Sequence, residues 1–406
     1  MDIQSLLQKY ETRNTYLRER ENLKQKINEI SSAGSRPSEE RIVDARKLKE
    51  QHEVINDNFR KADDEYIRLL KGVPNMPLDS VPEGTSEADN KVDHEWGEKP
   101  HFDFQAKTHW ELGESSGLID KERASKVSGS RFAYIKGGLV HLQMAILQFG
   151  LSVLTSEDSI KKITQEFNLE VASKPFMPIL PPAMVRTDVY DNMDRLEPRE
   201  ERYKIDGEEL WLQGSAEHTL GPMYTKEILS ANELPIRIVG YLTSFRREAG
   251  SYGKDIEGII RMHQFDKLEM ESFSLPEQGL EEHKLMIAIQ EYLMRQLKLP
   301  YRVLNKCKAD IGKPNASGWD LDVWLPGHNR YLETHTADFM TDYQSRRLKT
   351  RAKKSDGDMV FVHTNDATAF AMGRTMIGIM ENYQTEEGKI VVPEVLRPYM
   401  NNQTTL

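Results

Sequence analysis

The sequence predicts an α+β protein: a helical hairpin at the start, then a body built on an antiparallel sheet flanked by helices. Three observations predict it. Apolar residues before Lys71 recur at steps of three and four. A stretch rich in Pro, Gly, Ser and acids follows. Beyond it, strand-like and helical runs occur without a steady β-α-β alternation.

The bulk composition narrows the class. At 406 residues the chain exceeds what one small core organises, so two domains are expected. Hydrophobic residues make up 38% and charged residues 30%, the balance of a well-solvated globular protein. The net charge of −10 excludes a general nucleic-acid coat but leaves room for a local basic surface. Cys307 is the single cysteine, so no internal disulfide forms, and a reducing, cytoplasmic compartment is expected. No apolar run reaches the roughly 18 residues of a membrane span, and the polar start MDIQSLLQKYETRN has no signal-peptide pattern. The histidines are scattered, with no H-E-x-x-H and no Cys cluster, which argues against zinc.

The hairpin is expected over residues 1–71. From Ala45 the seam runs Leu48, His52, Ile55, Phe59, Ala62, Tyr66 and Leu69, the heptad alternation of a coiled coil. Ile3, Leu6, Tyr10, Leu17, Leu23, Ile27 and Ile30 keep a looser version of that spacing. Between them, Gly34 suits a helix end, and Pro37 with Ser38 suits a new start. Two helices of roughly 28 residues would make a hairpin about 40 Å long. From Arg13 to Lys49 there are ten Lys/Arg against six Asp/Glu, unlike the acidic remainder. That excess fits either a solvated coiled-coil surface or an arm resting on a phosphate backbone.

The stretch Gly72–Asn90 reads as a linker, taken to residue 95, with the body over 96–406. Within the body, Gly279–Leu297 reads as a helix, and Pro235–Ser244 and Met359–His363 as strands. No internal repeat is visible.

One segment concentrates chemistry. In FRREAGSYGKDIEGIIRMHQFDKLEME, Arg246 and Glu248 follow a strand-like run, so the two-residue period would place them on one face. A glycine-containing loop leads to a second alternating run holding Met262, Phe265 and Glu269. Two antiparallel strands would bring Arg246, Phe265 and Glu269 to a common pocket. Taken alone, the pattern fits a cross-strand salt bridge equally well.

This segment resembles motif 2 of the class II aminoacyl-tRNA synthetases, in detail that of the seryl-tRNA synthetases. Further segments match in order. RFAYIKGGLVHLQMAILQFGL with PFMPILPPAMV (Pro181, Pro182) resembles the entry to motif 1, and GSAEHTL resembles the amino-acid-binding loop. RYLETHTADFMTDYQSRR resembles the E-x-x-S segment, and NDATAFAMGRTMIGIMENYQ resembles motif 3. The resemblance covers nearly the whole chain, including the hairpin and the segment from Lys99 to Phe132.

The resemblance implies the class II fold, an antiparallel catalytic sheet with an N-terminal coiled-coil arm. It also implies a serine–tRNA ligase that uses ATP and Mg2+, with L-serine and tRNA(Ser) as substrates, as a homodimer without membrane association. It leaves tRNA(Sec) open as a second tRNA. Arg246 would bridge serine and the α-phosphate, with Glu248 and Arg374 completing the catalytic set. ATP would meet Arg246, Arg247, Glu248, Met262, Phe265, Glu333, Thr336 and Arg374, the last opposing Phe265 across the base. Glu333 and Thr336 would hold Mg2+ through ATP. Serine would meet Ser215, Glu217, Arg246, Glu269 and Thr368. On the tRNA side stand Arg18, Arg20, Lys24, Lys26, Arg36, Arg41 and Lys254.

Several positions depart from the family's pattern. Ser215 stands for threonine, Thr336 and Thr368 for serine, Lys254 for arginine and Ala369 for glycine. Asp366 stands for asparagine and adds a charge beside a pocket that must take a carboxylate. The coiled coil begins within a few residues of Met1, where the family has a few dozen before it. Two alternatives accompany this reading. One is an aminoacyl ligase for carrier proteins, whose relatives lack the arm and use zinc; the other is a non-catalytic paralogue that keeps the fold as a scaffold.

Overall fold

Heptad spacing is enough to zip the first two helices together. In the computed structural model, which describes residues 3–32, 38–249 and 258–406, they are α1 (Ile3–Ser32) and α2 (Glu39–Lys71). The α2 seam is the expected one: Ala62 is buried, and Leu48, His52, Ile55, Phe59, Tyr66 and Leu69 are half-buried. On α1, Ile3 and Tyr10 stay exposed, although the Tyr10 ring still meets Tyr66 at 5.6 Å. Ion pairs Lys9–Glu65 (3.0 Å) and Arg13–Asp63 (2.5 Å) fix an antiparallel register.

Ser38 caps α2, accepting from the Arg41 N–H at 3.3 Å. Glu39 and Glu40 in the first turn, and Arg68 and Lys71 in the last, carry the signs the helix dipole favours. Gly34, Pro37 and Arg36 lie outside the described residues. Of the other cations expected to meet tRNA, Arg18, Lys24, Lys26 and Arg41 are exposed. Arg20 instead packs its guanidinium 4.1 Å from the centre of the Phe59 ring.

The second unit begins at Asn75 rather than after residue 95. Asn75 is buried and donates to the carbonyls of Pro314 and Met340 at 2.9 and 2.7 Å. Leu78 donates to Ala316, Lys308 donates to Pro82, and Lys91–Trp96 forms a strand of the main sheet. Proline and glycine in this stretch signal a lack of regular structure, not freedom from the body.

Among the described residues the body carries an eight-stranded sheet. Its strands are β1 (Lys91–Trp96), β2 (Met177–Ile179), β3 (Ile236–Phe245), β4 (Gln264–Ser274), β5 (Tyr301–Asn305), β6 (Ser317–Leu325), β7 (Arg330–Thr341) and β8 (His363–Ala371). The spatial order is β1-β5-β6-β7-β8-β4-β3-β2, antiparallel throughout except for the edge pair β2–β3. The expected strand Met359–His363 divides in two: Met359–Phe361 joins a separate three-stranded sheet, and β8 starts at His363.

Helices α3 (Gly138–Leu154), α4 (Gly279–Gln296) and α5 (Met372–Asn382) share one core with one face of the sheet. Gly150 allows that approach, because a Cβ there would meet Leu268 and Phe370 side-chain carbons at 2.8 and 2.9 Å. Leu268 and Met270 of β4 and Ala367 of β8 enter this core. By the two-residue period, Lys267, Glu269, Glu271, Asp366 and Thr368 face the other way. The helices thus leave the opposite face of the central strands for polar side chains. No single helix among the described residues is long and apolar enough to cross a membrane.

Candidate active site

The β3–β4 pair positions the first group. Ser244 lies opposite Phe265 and Phe245 opposite Gln264. Pairing extends one residue further, where the Arg246 N–H donates to the His263 carbonyl at 3.0 Å. The Arg246 Nε donates to the Gly214 carbonyl at 2.9 Å, and its guanidinium lies 5.2 Å from the Phe265 ring centre. Strand β3 ends at Phe245, however, so Arg246 and Glu248 do not share a strand face. Glu248 has φ 51°, a left-handed conformation costing a non-glycine residue roughly 1–2 kcal/mol. The turn still brings its carboxylate to the site, where Arg261 holds it at 3.1 Å. Arg247 is exposed, its guanidinium 6.0 Å from the Tyr203 ring centre, and is not among the residues lining the cavity described next.

One cavity gathers residues from distant stretches. Arg246, Glu248, Met262 and Phe265 line one side. Glu333 and Thr336 of β7, Thr368 of β8 and Arg374 at the start of α5 line the other. Arg374 donates to the Glu333 carbonyl at 2.7 Å and to its carboxylate at 2.8 Å. The cation resting on Phe265 is Arg246, while Arg374, expected to oppose that ring across the base, is bonded to Glu333. A charge-assisted bond to a carboxylate outweighs a cation–π contact. Burial, then the neighbouring Arg202, push the Arg246 pKa down, Glu248 opposes them, and Arg374 adds to the fall. Two of these guanidiniums, Arg246 and Arg374, line the cavity, which favours an anion there.

Behind the Lys267–Thr368 wall lies a buried polar layer. Lys267 donates to Glu269 Oε1 at 2.8 Å and to the Ser215 hydroxyl at 3.4 Å, and its ammonium also lies 2.8 Å from Glu269 Oε2. Thr368 donates to Glu269 at 3.2 Å from the directly opposite position on β8. Glu217 accepts from Arg195 at 2.7 Å and Gln344 at 3.2 Å. Arg195 also approaches Asp366 at 3.7 Å. Burial, then Glu217 and Asp338, hold the Asp366 pKa well above the ordinary aspartate value. Glu271, opposite Asp366, is raised by burial and then by Asp366 itself. Both shifts favour the neutral acid, the direction that softens the charge the Asp366 departure would bring.

Sequence reasoning misses Lys267, Arg195 and Asp320. The K-x-E spacing of Lys267 and Glu269 is a readable signal, since both share a strand face. Arg195 and Asp320 give none, because their partners sit on other segments. Asp320 lies opposite Thr336 and accepts from its hydroxyl at 2.6 Å, with Lys306 at 3.4 Å. Glu333, half-exposed, sits on the same strand as Thr336. Glu333 and Thr336 line the cavity and offer oxygen donors, the chemistry Mg2+ prefers, while burial pushes the Asp320 pKa up to about 8 behind them. Lys254 lies outside the described residues.

Comparison with known proteins agrees with this geometry. The tRNA synthetase class II core domain (G, H, P, S and T) matches residues 201–383. A serine–tRNA ligase of Thermodesulfovibrio yellowstonii is 40% identical over 361 residues, covering 88% of this chain and 81% of that protein. One from Fervidobacterium nodosum is 37% identical over 389 residues, covering 93% of this chain and 87% of that protein. The crystal structure of seryl-tRNA synthetase from Pyrococcus horikoshii complexed with ATP superposes with a TM-score of 0.86 at 32% identity, covering 99% of this chain and 92% of the other. The chain belongs to the serine–tRNA ligase family of class II aminoacyl-tRNA synthetases.

Proposed function

We propose that the chain activates L-serine with ATP in the cavity around Arg246 and then transfers serine to the 3′ end of tRNA(Ser). The observation that carries this reading is convergence. Arg246, Phe265, Glu333, Thr368 and Arg374, scattered over three stretches of sequence, line one cavity. Family membership makes the chain an aminoacyl-tRNA ligase.

In activation, a serine carboxylate oxygen bonds the α-phosphorus while the bond to the β-phosphate oxygen breaks, releasing pyrophosphate. Both reactants are anions, so they approach only where cations offset their repulsion. Arg246 presents a planar fork suited to bridging the two. The main gain comes from positioning and from stabilising charge as it builds on phosphorus. Phe265 and Met262 receive the adenine, and Arg374 exchanges Glu333 for triphosphate oxygens. Glu333 and Thr336, supported by Asp320, would hold Mg2+, which when bound neutralises the triphosphate charge.

Serine selection falls to the buried layer. Glu269, fixed by Lys267 and Thr368, accepts from the substrate hydroxyl, and Ser215 and Glu217 attend its ammonium. An analogue without the hydroxyl leaves Glu269 without that donor, which in such sites costs about 10⁴–10⁵ in kcat/KM. In the second step the terminal ribose hydroxyl attacks the serine carbonyl, losing its proton as AMP departs. The cations of the hairpin, Arg18, Lys24, Lys26 and Arg41 among them, rest on tRNA phosphates and recognise helical RNA by shape. A homodimer through the motif 1 region is supported by exposed apolar residues there, with Leu180 at 85% and Met177 at 48%.

ATP–pyrophosphate exchange tests the reading. Exchange with serine but not alanine or threonine, followed by tRNA charging, is the expected result. No exchange with any amino acid in folded protein would leave the scaffold alternative standing. Exchange without tRNA charging would point to a carrier-protein ligase.

A further inference from the structure

Outside the cavity, His109, His328 and Glu381 form a buried knot. Glu381 is fully buried and accepts from the His109 and Gly327 backbone N–H groups at 3.0 and 2.9 Å. It also accepts from His328 Nδ1 at 2.7 Å and His109 Nδ1 at 3.3 Å. Burial alone would raise its pKa, but the two histidines outweigh it and pull the group down to about 2.

The other nitrogen of His109 settles the tautomer. Its Nε2 accepts the Ile259 N–H at 3.2 Å, so the ring proton sits on Nδ1 and donates to Glu381. With both nitrogens committed in this way, the knot is a hydrogen-bonded clamp and not a metal centre. Gly258 completes the lock: it has φ 60°, and a Cβ there would fall 1.8 Å from His109 Nε2.

The two things clamped are neighbouring parts of the cavity lining, since a Cβ on Gly373 would lie 3.7 Å from the Ile259 carbonyl oxygen. Ile259 begins the run that continues through Ile260, Arg261 and Met262 to Phe265. Glu381 lies on α5, the helix whose first turn carries Arg374. We infer that His109 is a positioning residue for ATP: bonded to Ile259 on one side and Glu381 on the other, it fixes the Ile259–Phe265 run against the helix that carries Arg374. This rests on the ligase reading above. The serine layer is held from elsewhere, with Glu269 bonded to Lys267 and Thr368 rather than to the knot, so the effect should fall on ATP alone.

The full chain is tested by ATP–pyrophosphate exchange. Losing one buried hydrogen-bonded restraint in His109→Ala should raise the KM for ATP about tenfold, with the KM for serine changing less than about twofold. His109→Gln, which can still offer an acceptor toward Ile259, should recover most of that loss. Gly258→Ala, which displaces the ring, should reproduce the ATP-specific defect if His109→Ala fails to fold. Equal rises in both KM values, no rise at all, or a glutamine variant as impaired as alanine would each overturn the inference. Absence of exchange in the unaltered chain would overturn the ligase reading and this inference together, whereas exchange indifferent to these substitutions overturns only the inference.

Discussion

Arg374 donates to both the carbonyl and the carboxylate of Glu333, at 2.7 and 2.8 Å, so two groups expected to meet the triphosphate hold each other. Binding of Mg2+–ATP must exchange this pair for phosphate oxygens and metal. Glu333→Gln removes the anion that both Arg374 and the metal use. The Mg2+ concentration giving half-maximal exchange should rise about tenfold or more. A magnesium titration of exchange reads this directly; an unchanged midpoint would remove Glu333 from the metal site, and chelation should abolish exchange in the unaltered chain.

Arg246→Ala should abolish serine-dependent exchange while leaving tRNA binding within a few-fold. Losing one oxyanion donor of this kind commonly costs about 10²–10³ in rate, and Arg246 serves two anions at once. Pyrophosphate exchange and a filter-binding or fluorescence titration with tRNA(Ser) separate the two effects.

Asp366→Asn restores the family's usual residue and tests the buried acid layer. The folded pKa of Asp366 is raised, chiefly by burial. Its contribution is therefore fully present below the unfolded value of about 3.9 and is lost as pH rises through the folded pKa. The asparagine variant has no such loss, so its stability relative to the parent should grow as pH rises above about 4. Thermal unfolding across that range measures the difference. A constant difference would mean that folding does not raise the Asp366 pKa.

Deleting residues 13–49 should weaken tRNA binding and spare exchange, the reverse of Arg246→Ala. Short of deletion, replacing Lys24 and Lys26 by alanine should flatten the dependence of log K on log salt by about one unit for each phosphate left without its cation. Equal loss of tRNA binding and exchange would contradict this division of labour.

The parts legible in the sequence are those where spacing or a local motif carries the signal. The α2 seam from Ala45 to Leu69 lies where the heptad spacing puts it, and Ser38 caps the helix as its position suggests. The β3–β4 hairpin and the gathering of Arg246, Phe265, Glu333 and Arg374 follow from ordered motifs. Where the sequence misleads, the cause is geometry that no spacing encodes. A two-residue period puts Glu248 on a strand face with Arg246, but β3 stops at Phe245 and the chain turns left-handed. The stretch 75–95 reads as a linker by composition, yet Asn75 and strand β1 fasten it to the body. Arg195 and Asp320 are invisible in the sequence because burial and partners from other strands, not local pattern, give them their roles.

The proposed chemistry stands on Arg246 lying between two anions. Its sharpest test is a crystal structure of the full chain with a non-hydrolysable seryl-adenylate analogue. The Arg246 guanidinium should lie within hydrogen-bond distance of both the α-phosphate group and the seryl carbonyl, with adenine stacked on Phe265 and the serine hydroxyl on Glu269. An analogue bound with Arg246 turned away, or with its hydroxyl touching neither Glu269 nor Thr368, would contradict it.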